Sequence, residues 1–251
     1  MGSLKFNILA VLCVATLWVK AQEARNTPYV DDRLFHVGFS IGLDFGGYSV
    51  RETGEPIDVN GTNTVVHART SSVGPGFAVG FISDVRLSKH LNLRLCPTLH
   101  FGERSLNYRS TDTAAVFFDP RSQEGLHYQG YFNYNNDVVI PLDIPIYLKF
   151  SAAREGNYRP YIITGGGVSM NVNSFSRERL VATKFVDYFF EIGFGVDTYF
   201  RWFKFCPEIR YHIGFNNQLG DPNDINYTDT YYMGCISRMT NHVISLTFNF
   251  E

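Results

Sequence analysis

A chain of 251 residues has room for one sizeable domain or two small ones. Aromatic residues make up 16% of it and charged residues only 18%, with 22 Gly and 22 Phe, a balance that favours β structure. The formal net charge of −2 gives no sign of a nucleic-acid partner or an acidic substrate.

The chain opens with Lys5, an apolar run from Phe6 to Val19, and Ala21. A basic start, a short apolar run and a small residue at the end predict a secretory signal over residues 1–21. The run is shorter than the roughly 20 residues a spanning helix needs. Cys13 follows Leu12 rather than a small residue, so it does not read as a lipidation site. Loss of Lys5 and Lys20 would leave 20 bases against 24 acids, a charge near −4. No comparable apolar run follows, which excludes a helical inner-membrane protein. Two classes remain: a soluble exported protein and an outer-membrane barrel. Residues 22–34 are predicted to be a periplasmic N-terminal segment, and 35–251 the barrel.

The first predicted strand, Phe35–Gly46, alternates without a fault. Phe35, Val37, Phe39, Ile41, Leu43 and Phe45 face one side, and His36, Gly38, Ser40, Gly42, Asp44 and Gly46 the other. Strict alternation marks a strand. Large apolar residues on one face with small or polar ones on the other suit a lipid-facing wall around a narrow lumen.

Gly74–Ile82 repeats the pattern with Phe77, Val79 and Phe81. Leu91–Glu103 sets Leu91, Leu93, Leu95, Leu99 and Phe101 against Arg94, Cys96, Thr98 and His100. Ile140–Phe150 sets Ile144, Ile146 and Leu148 against Asp143, Tyr147 and Lys149. Tyr158–Val172 contains a triple Gly that leaves its phase open. Val186–Phe200 sets Tyr188, Phe190, Ile192 and Phe194 against Glu191 and Asp197. Phe203–Phe215 sets Ile209, Tyr211 and Ile213 against Lys204, Cys206, Glu208, Arg210 and His212. His242–Phe250 closes the series. Each of these eight strands can cross a bilayer when tilted.

The connections sort by parity. Short links follow the second, fourth and sixth strands: Ser83–His90, Ser151–Asn157 and Arg201–Trp202. Long links follow the first, third, fifth and seventh: Gly47–Val73, Arg104–Val139, Asn173–Phe185 and Asn216–Asn241. The predicted fold class is therefore all-β: an eight-stranded antiparallel outer-membrane β-barrel with short periplasmic turns and long extracellular loops. Trp202 falls at a predicted periplasmic rim, where an interfacial aromatic belongs. Pro97, Pro141, Pro145, Pro160 and Pro207 conflict with the pattern, because each removes a ladder donor.

The inward face collects Asp44, Arg94, Asp143, Lys149, Glu191, Asp197, Lys204, Glu208 and Arg210. Eight strands leave an interior just wide enough for side chains. Charges of both signs there are expected to pair into an interior polar network that plugs the barrel. Cys96, Cys206 and Cys235 are an odd count, unlike a disulfide framework. Cys96 and Cys206 are placed on opposite walls, beyond the reach of a disulfide, and all three read as small apolar fillers.

An acyl-transferring or hydrolytic barrel would need Ser, His and an acid in contact. His36, His100, His212, Ser40 and Ser245 are present without a motif that joins them. Glu208 and His212 share a face, but four residues on a strand is about 13 Å, too far for a metal pair or relay. The expectation is no enzyme, no cofactor and no metal. Among the loops, Gly125–Asp137 is rich in Tyr and Asn, as binding surfaces often are. Asp112–Ala114 matches a short O-glycosylation signal at Thr113. The regular C-terminal strand, ending Phe248-Asn249-Phe250, reads as the signal for the barrel-assembly machinery.

Several blocks carry a resemblance: "FHVGFSIGLDF", "PGFAVGFISDVRLSKHLNLRLCPTLHFGER", "PLDIPIYLKF", "NYRPYIITGGG", "YFFEIGFGVDTYFRWFKFCPEIRYHIG" and "ISLTFNFE". Together they resemble the PorT family of Bacteroidota, from about Phe35 to the end. "FKFCPEIRY" and "ISDVRLSKHLNLRL" are its more specific blocks, while "PLDIPIYLKF" occurs across many outer-membrane barrels. The resemblance implies an eight-stranded barrel required by the type IX secretion system, which exports surface proteases such as gingipains, or gliding adhesins. It implies no catalytic residues. Expected partners are outer-membrane lipid, other type IX components and, during biogenesis, the assembly machinery. Eight strands are too narrow to pass a folded protein, so an accessory or assembly role is expected rather than that of the pore. The rival classes are a structural or adhesive barrel and a lipid-modifying enzyme.

Overall fold

The computed structural model describes residues 26–70, 74–119, 127–175, 179–226 and 231–251, with the side chains of 135–137 and 175 left aside. The predicted signal at residues 1–21 lies outside them. No helix among the described residues is long and apolar enough to cross a membrane; the crossing elements are strands.

In chain order the described strands are β1 (Phe35–Glu52), β2 (Pro56–Val59), β3 (Thr62–Thr70), β4 (Gly74–Arg86), β5 (Leu91–Leu95), β6 (Thr98–Ser110) and β7 (Val116–Phe118). Then follow β8 (His127–Gln129), β9 (Tyr131–Val139), β10 (Pro141–Ser151), β11 (Tyr158–Asn171), β12 (Val186–Tyr199), β13 (Lys204–Gly214) and β14 (Ile236–Phe250). One short helix, α1 (Tyr231–Gly234), precedes β14.

The pairings run in a ring. β1 pairs with β4, and β4 pairs with both β5 and β6. β10 also pairs with both β5 and β6, which therefore share one ring position. From β10 the ladder passes through β11, β12, β13 and β14, and β14 returns to β1. Among the described residues this gives eight ring positions, all antiparallel. The last pairing sets Phe39 opposite Phe250, and their rings stack at 4.9 Å.

Alternation puts the apolar face outside. The six large apolar residues of the first predicted strand are 45–54% exposed, while Ser40 and Asp44 are buried. Such a face is stable only against lipid. On β11, whose phase the sequence leaves open, Tyr161, Ile163 and Ser169 point inward and Ile162 outward. Inward Gly165 and Gly167 let β10 approach: a Cβ at Gly165 would lie 2.1 Å from the carbonyl oxygen of Ile146.

The prolines fall where the ladder is already interrupted. Pro97 occupies the break between β5 and β6, and its carbonyl accepts the N–H of Phe81 at 3.0 Å. Pro145 lies opposite that break, between the Asp143↔Thr98 and Ile146↔Leu95 pairs. Pro141 starts β10. Pro160 lies one residue beyond the last β10–β11 pair, Ser151↔Tyr161. At Pro207 the β12–β13 ladder skips from Gly195↔Glu208 to Thr198↔Phe205 without changing register. A missing donor thus leaves gaps of a pair or two in one ladder rather than removing whole strands.

The long connections differ from the expectation of loops. β1 continues to Glu52, β6 to Ser110, and β14 starts at Ile236, so much of Gly47–Val73, Arg104–Val139 and Asn216–Asn241 is extended sheet. The reason lies in the inward faces. Along β6 the inward residues change from Thr98 and His100 to Leu106 and Tyr108; along β1, from Asp44 to Tyr48; along β14, from Ser245 to Met239. Above the membrane, water solvates the outside, so the apolar side turns inward. There it builds a core with Val59, Val66, Phe117, Phe132, Tyr232 and Met233. Tyr232 packs edge-on to Tyr108 at 5.1 Å and donates its hydroxyl to the carbonyl of Phe118 at 2.6 Å. The extracellular end of the ring carries a small apolar-cored cap.

The opposite end is also covered. The Asn26 N–H donates to Asn157 Oδ1 at 2.9 Å, and Asn26 Nδ2 donates to the Tyr199 carbonyl at 3.0 Å. Tyr199 OH donates to Asp31 Oδ1 at 2.6 Å, and Arg159 pairs with Asp31 at 3.4 Å. The N-terminal segment is a strap tied to residues of β11, β12 and the turn before β11.

Candidate functional site

The lumen between strap and cap is filled by side chains that the strand period aims inward. All nine charged residues assigned to the interior are buried: Asp44, Arg94, Asp143, Lys149, Glu191, Asp197, Lys204, Glu208 and Arg210. The structure sorts them into two tiers.

The tier nearer the strap is an ion-pair network. Arg94 is fully buried; it donates to Asp84 at 2.9 Å, bonds Glu251, and lies 3.8 Å from Glu208. Glu251 also bonds Lys204. Lys149 Nζ donates to both oxygens of Asp197, at 2.7 and 2.9 Å, and sits 3.9 Å above the Tyr161 ring. Tyr161 OH donates to Glu208 at 2.6 Å, and Glu208 also accepts from Arg210. Four cations therefore meet four carboxylates: Arg94, Lys149, Lys204 and Arg210 against Asp84, Asp197, Glu208 and Glu251. Burial without such partners would cost several kcal/mol per ion.

Glu191 links the tiers, accepting from Tyr147 OH, which itself accepts from Arg210 at 3.2 Å. The tier nearer the cap is built differently. His100 Nδ1 lies 2.6 Å from Asp44 Oδ2, and His100 Nε2 lies 3.3 Å from Asp143 Oδ2. His212 Nδ1 lies 2.9 Å from Glu191 Oε1 and 3.8 Å from Asp143 Oδ2. Phe189 stacks on the His212 ring at 4.4 Å and fixes its plane. These residues and Arg104 line a cavity of about 20 Å³. A second, of about 10 Å³, adjoins it towards Tyr147 and Arg210. Such volumes hold a water molecule or an ion, not a solute in transit.

Sequence reasoning missed part of this constellation. Asp84 lies in the predicted link Ser83–His90, two residues beyond the predicted end of the second strand at Ile82. Glu251, one residue past the predicted closing strand His242–Phe250, is 1% exposed at its side chain and anchors Arg94 and Lys204. The sequence relates His212 only to Glu208 on its own strand, whereas its partners come from β10 and β12. Cross-strand neighbours need a register, and no single strand displays one. Cys96, Cys206 and Cys235 are free. Cys96 and Cys206 nevertheless share one buried cluster with Ile82, Tyr147, Tyr161 and Ile163. Thr113 is exposed on a turn held by Asp112 Oδ1, which accepts the Ala114 N–H at 2.8 Å. Trp202 is 84% exposed in the turn between β12 and β13, and Phe248 and Phe250 stand on the outer wall beside Phe205.

Comparison with known proteins gives a family match over residues 20–220, to the model described as "Outer membrane protein beta-barrel domain". No curated protein sequence matches. Among solved structures, the chain is similar to Neisserial surface protein A (NspA), at 10% identity and a TM-score of 0.36, over 85% of this chain and 97% of that one. It is also similar to the outer membrane protein AlkL, solved in DMPC bilayers, at 10% identity and a TM-score of 0.34, over 93% of this chain and 92% of that one.

Proposed function

This chain belongs to the outer membrane protein beta-barrel domain family, and from that premise we propose that it is an accessory or assembly component of the type IX secretion system, not the pore. Its location is the outer membrane. The observation that supports the non-pore part is the lumen itself: charged side chains fill it, and both ends are covered. The assignment to secretion rests on the sequence blocks that resemble the PorT family, the specific "FKFCPEIRY" above all. On this reading the protein acts through contact, not catalysis. Its partners are lipid, other secretion components at the periplasmic turns or outer wall, and the assembly machinery during biogenesis. The test is a deletion strain fractionated for protease or adhesin cargo. Cargo held in the periplasm, with lipid A unchanged, supports the reading. Normal secretion overturns it, and altered lipid A indicates an enzyme.

A second reading, an adhesive barrel, is favoured by one feature. The outer face of β3, β6 and β9 carries a groove of about 580 Å³ lined by His67, Arg69, Asn107, Arg109 and Tyr131. Charge reversal at Arg69 and Arg109 separates the readings: it abolishes surface adhesion on the second and leaves secretion intact on the first.

A further inference from the structure

The tier nearer the cap sets three carboxylates, Asp44, Asp143 and Glu191, around two imidazoles, with Arg104 the one guanidinium lining the same cavity. Three buried carboxylates call for three positive charges, supplied by Arg104 with two imidazoliums or by Arg104 with a divalent ion beside neutral imidazoles. Polar atoms around the cavity also lack protein partners: Asp143 Oδ1, Asp44 Oδ1, His212 Nε2, Arg104 Nε and Asn241 Oδ1. Asp143 and His212 are each 4% exposed. Buried polar atoms rarely go unsatisfied, and several around one cavity indicate a resident polar ligand.

The donors identify its class. Asp143, Glu191 and His212 offer ligand atoms that all lie within 4.8 Å of one another. Donor separations here are 2.9 Å (His212–Glu191) and 3.8 Å (His212–Asp143). They bracket the edge of about 3.4 Å in a tetrahedron with metal–ligand bonds near 2.1 Å. We propose that the lumen binds a divalent transition ion of the zinc type through Asp143, Glu191 and His212, with water as the fourth ligand. Imidazole donors disfavour calcium and magnesium, which take oxygen ligands. His100 is a positioning residue: its Nε2 lies 3.3 Å from Asp143 Oδ2 and orients that carboxylate, while its Nδ1 is held by Asp44 at 2.6 Å. The Nε2–H tautomer of His212 leaves the Nδ1 lone pair for the cation. The ion would tie β10, β12 and β13 together below the cap. This inference is independent of the secretion reading.

The experiment uses the full chain purified from membranes in detergent, stripped with a chelator and titrated with Zn²⁺ alone. One ion per chain is expected. Asp143→Asn and His212→Gln should abolish binding, and His100→Gln should weaken it about 10- to 100-fold. Folded state is checked by heat-dependent gel mobility. Co²⁺ added to the unmodified protein gives an independent reading: intense visible absorption bands of a tetrahedral centre. No zinc uptake at micromolar concentrations overturns the proposal, the cavity then holding water only. Undiminished binding in folded Asp143→Asn and His212→Gln variants, or an octahedral cobalt spectrum, overturns it as well.

Discussion

Arg94 shows what a single side chain carries in this interior. Its guanidinium bridges Asp84 on β4 and Glu251 at the chain end, with Glu208 of β13 within reach, so three strands converge on one group. Arg94→Ala would leave buried carboxylates unpaired, and is expected to cost about 3–5 kcal/mol. Urea unfolding of the detergent-solubilised barrel measures this. Gly195 depends on the same network from the steric side: a Cβ there would lie 2.4 Å from the Tyr161 hydroxyl, which holds Glu208. Gly195→Val should destabilise by about 1–3 kcal/mol through overpacking, read in the same assay. Outside the membrane, burial pushes the Cys235 thiol up to about 12. At pH 8 it is therefore protonated as well as 1% exposed. Maleimide should label it only after the cap unfolds; fast labelling of the native protein would contradict this. The charges were legible in the sequence because the period of two assigns every residue to a face. Their partners were not, because Glu251 and Asp84 lie just beyond the ends of the apolar alternation.

At the scale of elements, β14 has two tasks. It pairs with β13 on one side and β1 on the other, so it is the stave that completes the ring. Phe250 stacks on Phe39 and packs on Phe205, while Phe248 stacks on Phe205 at 6.0 Å. Phe250→Ala is expected to lower the amount of folded barrel in outer-membrane fractions without altering the stability of molecules that do assemble. Equal membrane levels of variant and unmodified protein would remove its role as an assembly signal. The lipid-embedded part of each strand was readable, since one face must be apolar against hydrocarbon. The outer extensions of β1, β6 and β14 were not, because there the rule reverses. Leu106 and Tyr108 point inward while Asn107 and Arg109 point outward. A search for apolar-out alternation stops at the place where the polarity inverts. That inversion, between Phe101 and Leu106 on β6, marks the level at which hydrocarbon gives way to water.

At the scale of the whole molecule, a lumen packed with ion pairs and covered at both ends predicts the absence of steady conductance. In planar bilayers the protein should show no defined open level. A stable channel would mean that the plug or the strap is displaced, and Arg94→Ala should then raise its frequency. Covering the periplasmic mouth has a further consequence, for the order of events in time. Asn26 contacts Asn157 and Tyr199, partners 131 and 173 residues further along the chain. The first described stretch to leave the export channel thus finds its seat only after β11 and β12 have been laid down. Until then residues 26–34 trail loose, open to any periplasmic chaperone or protease. Maturation accordingly has an order, the laying down of β11 and β12 and then the fastening of the strap, and cleavage near residue 26 acts as a clock for the second.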